Sequence, residues 1–146
     1  ASRFDGLSGM KTLIQEKLAE AFSVFIPEGR LHEIPCVYEG PDLASVASDC
    51  GLSEQEIIRI HSEKEYTVYF LGFLPGFAYM GTTDERITVS RKLTPAPIQK
   101  GDIGLAGNQT GIYPSASPGG WQIIGRTPAI PHFRAGDRVR FIPVTV

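Results

Sequence analysis

The part of the chain that follows Tyr66 is divided by glycine and proline into short apolar segments, and this punctuation limits the folds that it can adopt. The residue pattern predicts five strands, which are Tyr66–Leu71, Ile103–Ala106, Gly111–Tyr113, Trp121–Thr127 and Arg138–Thr145. Short strands at close intervals favour a barrel or closed sheet, because closure leaves no strand edge exposed. We therefore expect a mainly β fold.

The segment before Tyr66 has a mainly helical pattern of apolar residues. Apolar residues recur at helical spacing over Met10–Phe22, which predicts an amphipathic helix that belongs to the tail of a preceding domain. A short strand is predicted at Leu31–Val37, and Pro35 places it at a sheet edge or a bulge. Two helices follow, at Asp42–Asp49 and Glu54–Ser62. The predicted domain is thus a β structure with two short helices.

Composition excludes several classes of protein. The chain has 146 residues, which suits one domain with an appendage, and 14 Lys and Arg against 16 Asp and Glu give a net charge of −2. A nucleic acid partner is not expected, because no basic surface is available for phosphates. No apolar run approaches the roughly 20 residues that span a bilayer, so we expect a cytoplasmic protein without a membrane partner. Cys36 and Cys50 are read as small apolar residues without a disulfide.

The first candidate for a working surface is the segment Phe70–Gly81, called here the first loop cluster. It interleaves three glycines and a proline with the aromatic residues Phe73, Phe77 and Tyr79. Glycine allows close backbone approach and aromatic rings supply apolar area, so the cluster is a candidate pocket wall. A tight turn with core aromatic residues explains the same composition.

The second candidate is Gly107–Trp121, called here the second loop cluster. Its possible ligand contacts are amide and hydroxyl side chains, the backbone N–H groups of a glycine pair and the single tryptophan; they comprise Gln109, Thr110, Tyr113, Ser117, Gly120 and Trp121. The alternative is a hairpin with glycine-rich turns and a core tryptophan. We predict that both clusters line one shared pocket, in which Gln109 and Thr110 orient the ligand.

His61 and the basic pair Arg91-Lys92 are the remaining candidates. His61 is predicted at the C-terminal end of a helix, where the helix dipole favours its charged form, and we expect it at the rim of the shared pocket. A lone histidine is also a common structural residue. Arg91 and Lys92 either meet an anion or form a solvated surface pair.

Motifs of self-sufficient enzymes are not found in the sequence. It contains no phosphate-binding loop, no H-E-x-x-H zinc motif, no G-x-S-x-G elbow and no carboxylate-rich metal cluster. No catalytic residue is assigned and no metal site is expected. We expect the chain to work with a partner.

Five stretches of sequence resemble a known family. They are His32–Pro35, Gly40–Leu43, Tyr69–Gly81, Gly107–Pro114 and Ser117–Pro128. These motifs are similar to those of the 5-oxoprolinase B subunits, a family also called allophanate hydrolase subunit 1 or sporulation kinase inhibitor. The resemblance covers about residues 31–141. It implies a cyclophilin-like closed β-barrel with two or three short helices over residues 29–146, and it makes residues 1–28 the remnant of a small α/β N-terminal domain with its linker.

The resemblance also implies a function. Members of the family pair with a paralogous cyclophilin-like subunit and a third subunit in ATP-dependent opening of 5-oxoproline to L-glutamate. ATP is then used by the complex, with no ATP site assigned to this chain, and the isolated chain is expected to be inactive. The alternatives are a protein that inhibits a sporulation histidine kinase by binding to it, or an allophanate hydrolase or urea amidolyase type of subunit.

Overall fold

The computed structural model describes residues 29–71 and 76–145. The predicted helix Met10–Phe22, the predicted N-terminal remnant and Phe73 lie outside the described residues and stay predictions. The elements in chain order are β1 (Leu31–Cys36), α1 (Leu43–Cys50), α2 (Glu54–Glu63), β2 (Glu65–Leu71), β3 (Ala78–Gly81), a 3-10 turn (Glu85–Ile87), β4 (Ala96–Ile98), β5 (Asp102–Ala106), β6 (Gln109–Ile112), β7 (Ser117–Gly119), β8 (Gln122–Arg126) and β9 (Arg138–Pro143).

Seven strands form one sheet that nearly closes on itself. Their order is β1-β9-β2-β3-β6-β5-β8, with β1 parallel to β9 and the other neighbours antiparallel. The two edge strands meet where Val37 N donates to Arg126 O at 2.9 Å and Arg126 N donates to Val37 O at 3.0 Å. This seam confirms the predicted mainly β, cyclophilin-like barrel. Pro35 lies in β1 at one end of the strand order, which agrees with the expectation of an edge or a bulge.

Glycine makes the seam possible. A Cβ atom on Gly40 would lie 2.4 Å from Ile123 O, and one on Gly125 would lie 2.7 Å from Cys36 Sγ. Such distances are far shorter than a van der Waals contact, so only glycine lets the backbones approach this closely. Gly40 N also donates to Ile124 O at 3.1 Å, which continues the pairing beyond β1.

Helix α2 packs against β9 and α1. Ser53 Oγ accepts a hydrogen bond from Glu56 N at 3.1 Å and Glu56 Oε1 accepts one from Ser53 N at 3.2 Å, which is a capping box. Ile57, Ile60 and His61 lie on the buried face of the helix. Both predicted helices are confirmed: α1 begins and ends one residue later than predicted, and α2 begins at Glu54 as predicted and ends one residue later.

Three short strands are not predicted by the residue pattern: β3, β4 and β7. Each carries proline, glycine or alanine, which are weak strand formers. They form because tertiary pairing supplies their hydrogen bonds: β3 joins β2 and β6, and β4 pairs with β7 in a separate two-stranded ribbon. Local composition therefore indicates turns at positions where tertiary pairing provides strand partners.

Neither cysteine forms a disulfide, as the sequence analysis predicts. Cys36 and Cys50 are free, with Cys36 buried, and burial raises the pKa of the Cys36 thiol to about 12. Within residues 29–71 and 76–145, every helix is too short or too polar to cross a bilayer.

Candidate functional site

The two loop clusters lie side by side. Strand β3 from the first cluster pairs with β6 from the second, with Tyr79 opposite Gly111 and Gly81 opposite Gln109. Beyond the strands, a Cβ on Gly76 would lie 3.6 Å from Pro114 Cβ, so the two loops stay in contact. The two clusters are therefore adjacent, and the pocket that they are predicted to share stays a prediction.

Four rings from these clusters form what we call the aromatic cluster: Phe77, Tyr79, Tyr113 and Trp121. The Phe77 ring lies 4.7 Å from that of Tyr79, 5.0 Å from that of Tyr113 and 5.3 Å from that of Trp121, measured between centroids. Most of these pairs are edge-to-face, the arrangement that ring quadrupoles favour. The cluster thus forms a second, smaller core outside the barrel interior.

Two glycines allow the aromatic rings to pack directly against the backbone of neighbouring strands. A Cβ on Gly111 would lie 2.9 Å from Phe77 Cζ, and one on Gly119 would lie 2.6 Å from the Tyr113 hydroxyl oxygen. Both glycines therefore give the rings room to lie directly against the strands. The glycine-rich composition of the loops serves ring packing at these two positions.

The aromatic cluster has a buried side and a partly exposed side. Phe77, Tyr113 and Trp121 are buried, whereas Tyr79 is partly exposed. Burial raises the pKa of the Tyr79 and Tyr113 phenols, and the positive charge of Arg91 opposes that rise in both. The Arg91 guanidinium carbon lies 6.0 Å from the Trp121 ring centroid. The partly exposed side thus presents Tyr79 together with a cation.

A groove borders the aromatic cluster along the β4–β7 ribbon. It has a volume of about 490 Å³ and is lined by Pro95, Ala96, Pro97, Ile98, Ala116, Ser117 and Pro118. Ile98 belongs to both the groove and the aromatic cluster. The Ser117 Oγ is buried and has no hydrogen-bond partner in the described part of the chain. The groove is mostly apolar and large enough for a small ring compound.

The expectation that His61 lies at the rim of the pocket in its charged form is wrong in both respects. Its side chain is 0% exposed and stacks on Phe141 with 4.6 Å between ring centroids. Burial lowers its pKa from 6.5 to about 3, and this outweighs any helix dipole effect. His61 is a neutral residue of the barrel core.

Thr110, which is expected to orient a ligand, also lies in the barrel core, with 0% exposure. Its hydroxyl donates to Gly104 O at 2.8 Å, so its oxygen can only accept from His61 Nε2 at 3.0 Å. His61 Nδ1 then carries no proton and accepts from the Tyr38 hydroxyl at 2.7 Å. Hydrogen bonds satisfy this chain of groups internally and leave no donor facing a ligand.

The other predicted contacts lie in different places. Gln109 and Gly120 are partly exposed, Ser117 lines the groove, and Phe77, Tyr113 and Trp121 pack into the aromatic cluster. The Gly120 carbonyl accepts from Lys92 N at 2.7 Å, which fixes this turn against the chain at Arg91 and Lys92. Their role in ligand binding stays a prediction. The sequence analysis missed the groove residues Pro95–Ile98, for which two prolines flanking one alanine were the available signal.

Comparison with known proteins agrees with the fold. A family model described as the carboxyltransferase domain, subdomain C and D, matches residues 5–140. The chain is 48% identical over 130 residues to the 5-oxoprolinase B subunit of Escherichia coli O157:H7, in an alignment that covers 80% of this chain and 60% of that protein. The chain thus spans about three fifths of this curated relative.

Solved structures include proteins with a similar fold. A conserved uncharacterized protein from Pyrococcus horikoshii superposes with a TM-score of 0.75 at 46% identity, over 79% of this chain and 59% of that one. The urea amidolyase of K. lactis superposes with a TM-score of 0.66 over 80% of this chain and 10% of that one, and its 17% identity shows a common fold alone. The resemblance drawn from the motifs is confirmed, and the chain belongs to the carboxyltransferase domain family, subdomains C and D, together with the 5-oxoprolinase B subunits.

Proposed function

We propose that this chain is part of an ATP-dependent 5-oxoprolinase that opens 5-oxoproline to L-glutamate, and that it supplies binding surface at a site shared between subunits. The observation that carries the proposal is the 48% identity to a 5-oxoprolinase B subunit over 80% of this chain. Inhibition of a histidine kinase, action on urea-derived substrates and a cytoplasmic location stay predictions.

The surface of the chain suits binding better than bond cleavage. Opening the lactam breaks its C–N bond, places the oxygen of water on the carbonyl carbon and leaves the nitrogen as an amine, while ATP is hydrolysed to ADP and phosphate. The groove lining includes one side-chain hydroxyl, that of Ser117, whose oxygen is buried, and is otherwise apolar. A hydroxyl without a base at hydrogen-bond distance is a weak nucleophile. The other subunits are therefore proposed to supply the reacting groups.

The described helices do not suit the phosphates of ATP. Helix α2 begins with Glu54 and Glu56, and Glu56 closes the capping box, so negative charge already occupies this N-terminus. Helix α1 begins after Asp42, whose carboxylate accepts from Ile123 N at 2.7 Å and pairs with Lys92 Nζ at 2.8 Å. We therefore assign the ATP site to another part of the complex.

An exposed apolar patch supports a protein partner. Leu93 is fully exposed. Three prolines are also exposed in the segment that follows it and on the β4–β7 ribbon: Pro95, Pro97 and Pro118. Apolar patches of this kind often mark protein interfaces. We propose that the paralogous subunit covers this patch and part of both loop clusters, in an interface of about 1,600 Å² or more.

The function is tested by leaving out one component. With all three subunits, ATP and 5-oxoproline, we expect glutamate release that stops when this chain is withheld, and no release from this chain alone. Released glutamate is measured enzymatically, and a mixture without ATP serves as the control. Turnover by the isolated chain, or unchanged turnover without it, would contradict the proposal.

The partner patch is tested by changing Leu93 to serine. Because Leu93 is fully exposed, the variant should melt at the wild-type temperature but associate with the paralogous subunit about tenfold more weakly, as expected for loss of a central apolar anchor. Affinity is measured by titration calorimetry. Val144→Ser removes a partly exposed apolar residue outside the patch and should leave the affinity at the wild-type value. Equal affinity of both variants would show that the partner contacts a different surface.

A further inference from the structure

Arg91 differs from the adjacent Lys92 because its charge lies over an aromatic ring and is not paired with a carboxylate of the described residues. Its guanidinium carbon lies 6.0 Å from the Trp121 ring centroid, and the side chain is exposed. The adjacent Lys92 is instead paired with Asp42 at 2.8 Å. Among the ion pairs of residues 29–71 and 76–145, none includes Arg91.

The backbone around Arg91 is fixed against the second loop cluster. Lys92 N donates to Gly120 O at 2.7 Å, and a Cβ on Gly120 would lie 3.8 Å from Arg91 Cβ. The Arg91 side chain therefore extends from a backbone segment that is hydrogen-bonded to Gly120, the residue before Trp121. An arginine placed this way loses less conformational entropy on binding an anion than one on a free loop.

The charge lies beside the partly exposed side of the aromatic cluster. Tyr79 is partly exposed, and its ring centroid lies 6.0 Å from that of Trp121. Burial raises the pKa of the Tyr79 and Tyr113 phenols, and the positive charge of Arg91 opposes that rise. A cation, a phenol and an apolar ring surface thus occur together on the surface of the chain.

This combination suits a small molecule that has both an anionic and an apolar part. The Arg91 guanidinium lies over the Trp121 ring without a carboxylate partner in the described part of the chain. Its N–H edge matches the two oxygens of a carboxylate. The methylene groups of a small ring can lie against an aromatic surface. A neutral lactam or a urea would use the rings but not the charge.

We propose that Arg91 binds the carboxylate of a small cyclic amide acid at the Tyr79 and Trp121 side of the aromatic cluster, and so selects carboxylate-bearing substrates. The identity of that acid as 5-oxoproline rests on the proposed function. The recognition of a carboxylate by Arg91 has its own binding test.

The first test measures steady-state kinetics of the assembled complex with Arg91→Gln, Arg91→Lys and, as a matched control, Arg59→Gln. Arg59 is exposed on α2 and paired with Glu63 at 3.4 Å. We expect the KM for 5-oxoproline to rise at least tenfold in Arg91→Gln with a much smaller change in kcat. Arg91→Lys should show a smaller rise, because lysine keeps the charge but not the two-pronged geometry. Arg59→Gln should match the wild type.

The second test measures binding without turnover. Trp121 is the single tryptophan of the 146 residues, so its emission reports ligands that bind beside it. We expect 5-oxoproline to change this emission in the purified chain at concentrations at least tenfold lower than 2-pyrrolidinone, the same ring without a carboxylate. Arg91→Gln should abolish the difference between the two ligands.

The outcomes separate the two proposals. A wild-type complex that does not open 5-oxoproline overturns the proposed function, and the emission test then decides the role of Arg91. An active complex in which Arg91→Gln leaves the KM within twofold of the wild type overturns the role of Arg91 alone. A lower melting temperature of Arg91→Gln with an unchanged preference for the acid over 2-pyrrolidinone also overturns it, because Arg91 would then only cover Trp121.

Discussion

Replacing Trp121 by alanine is expected to lower the free energy of unfolding by about 3–5 kcal/mol, because the change leaves a large cavity in the aromatic cluster. The indole is 5% exposed and contacts Phe77, Tyr79 and Tyr113. A Cβ on Gly104 would lie 3.1 Å from Trp121 Cβ, so the barrel strand β5 also packs against it. Urea unfolding followed by far-UV circular dichroism measures the change.

Gln109→Ala is the matched control for this prediction. Gln109 belongs to the same loop cluster but is partly exposed, so its loss should change stability by no more than about 0.5 kcal/mol. Tyr113 is unsuitable as a control, because it is 1% exposed and its truncation also leaves a cavity. If Trp121→Ala and Gln109→Ala unfold at the same urea concentration, the aromatic cluster is not the second core described above.

The sequence indicated that the two loop clusters work together, but it predicted neither their pairing through β3 and β6 nor the direction of individual side chains. The predicted strand Gly111–Tyr113 begins two residues late, since β6 is Gln109–Ile112. Side chains alternate along a strand, so Thr110 and Ile112 share one face and Gln109 and Gly111 the other. With the observed bounds, the apolar Ile112 would have placed Thr110 in the core.

The burial of His61 is indicated by the apolar pattern of its own helix. Ile57, Ile60 and His61 lie at spacings of three and four residues, which is the pattern of a single helix face. Two isoleucines on that face predict burial for the histidine as well. The hydrogen-bond partners of its two ring nitrogens, by contrast, come from the segment after β1 and from β6, and such long-range contacts cannot be read from local sequence.

Acid is expected to destabilise the protein through His61. In the unfolded chain this histidine takes up a proton near pH 6.5, whereas burial lowers its folded-state pKa to about 3. Between these values the unfolded state binds more protons, so stability falls as the pH is lowered through this range. From pH 7 to pH 4.5 the loss in the free energy of unfolding should be about 2–3 kcal/mol from this residue.

His61→Gln isolates this contribution. The glutamine amide nitrogen can donate to Thr110 Oγ1 and its oxygen can accept from the Tyr38 hydroxyl, as the neutral imidazole does, but it does not titrate. The variant should therefore lose about 2–3 kcal/mol less than the wild type over the same pH range, in urea unfolding at pH 7 and pH 4.5.

Acidic groups do not obscure this comparison. Burial alone would raise the pKa of Asp137, but hydrogen bonds from Arg134 N, His32 and Arg30 N outweigh that effect and lower it. Its contribution is present above the unfolded-state pKa of about 3.9 and is lost only as the pH falls through the lower folded-state value. Asp137 is unchanged in His61→Gln, so its effect cancels in the difference. Parallel pH dependence of the wild type and His61→Gln would mean that His61 accepts a proton in the folded protein, which its enclosure by Tyr38, Thr110 and Phe141 argues against.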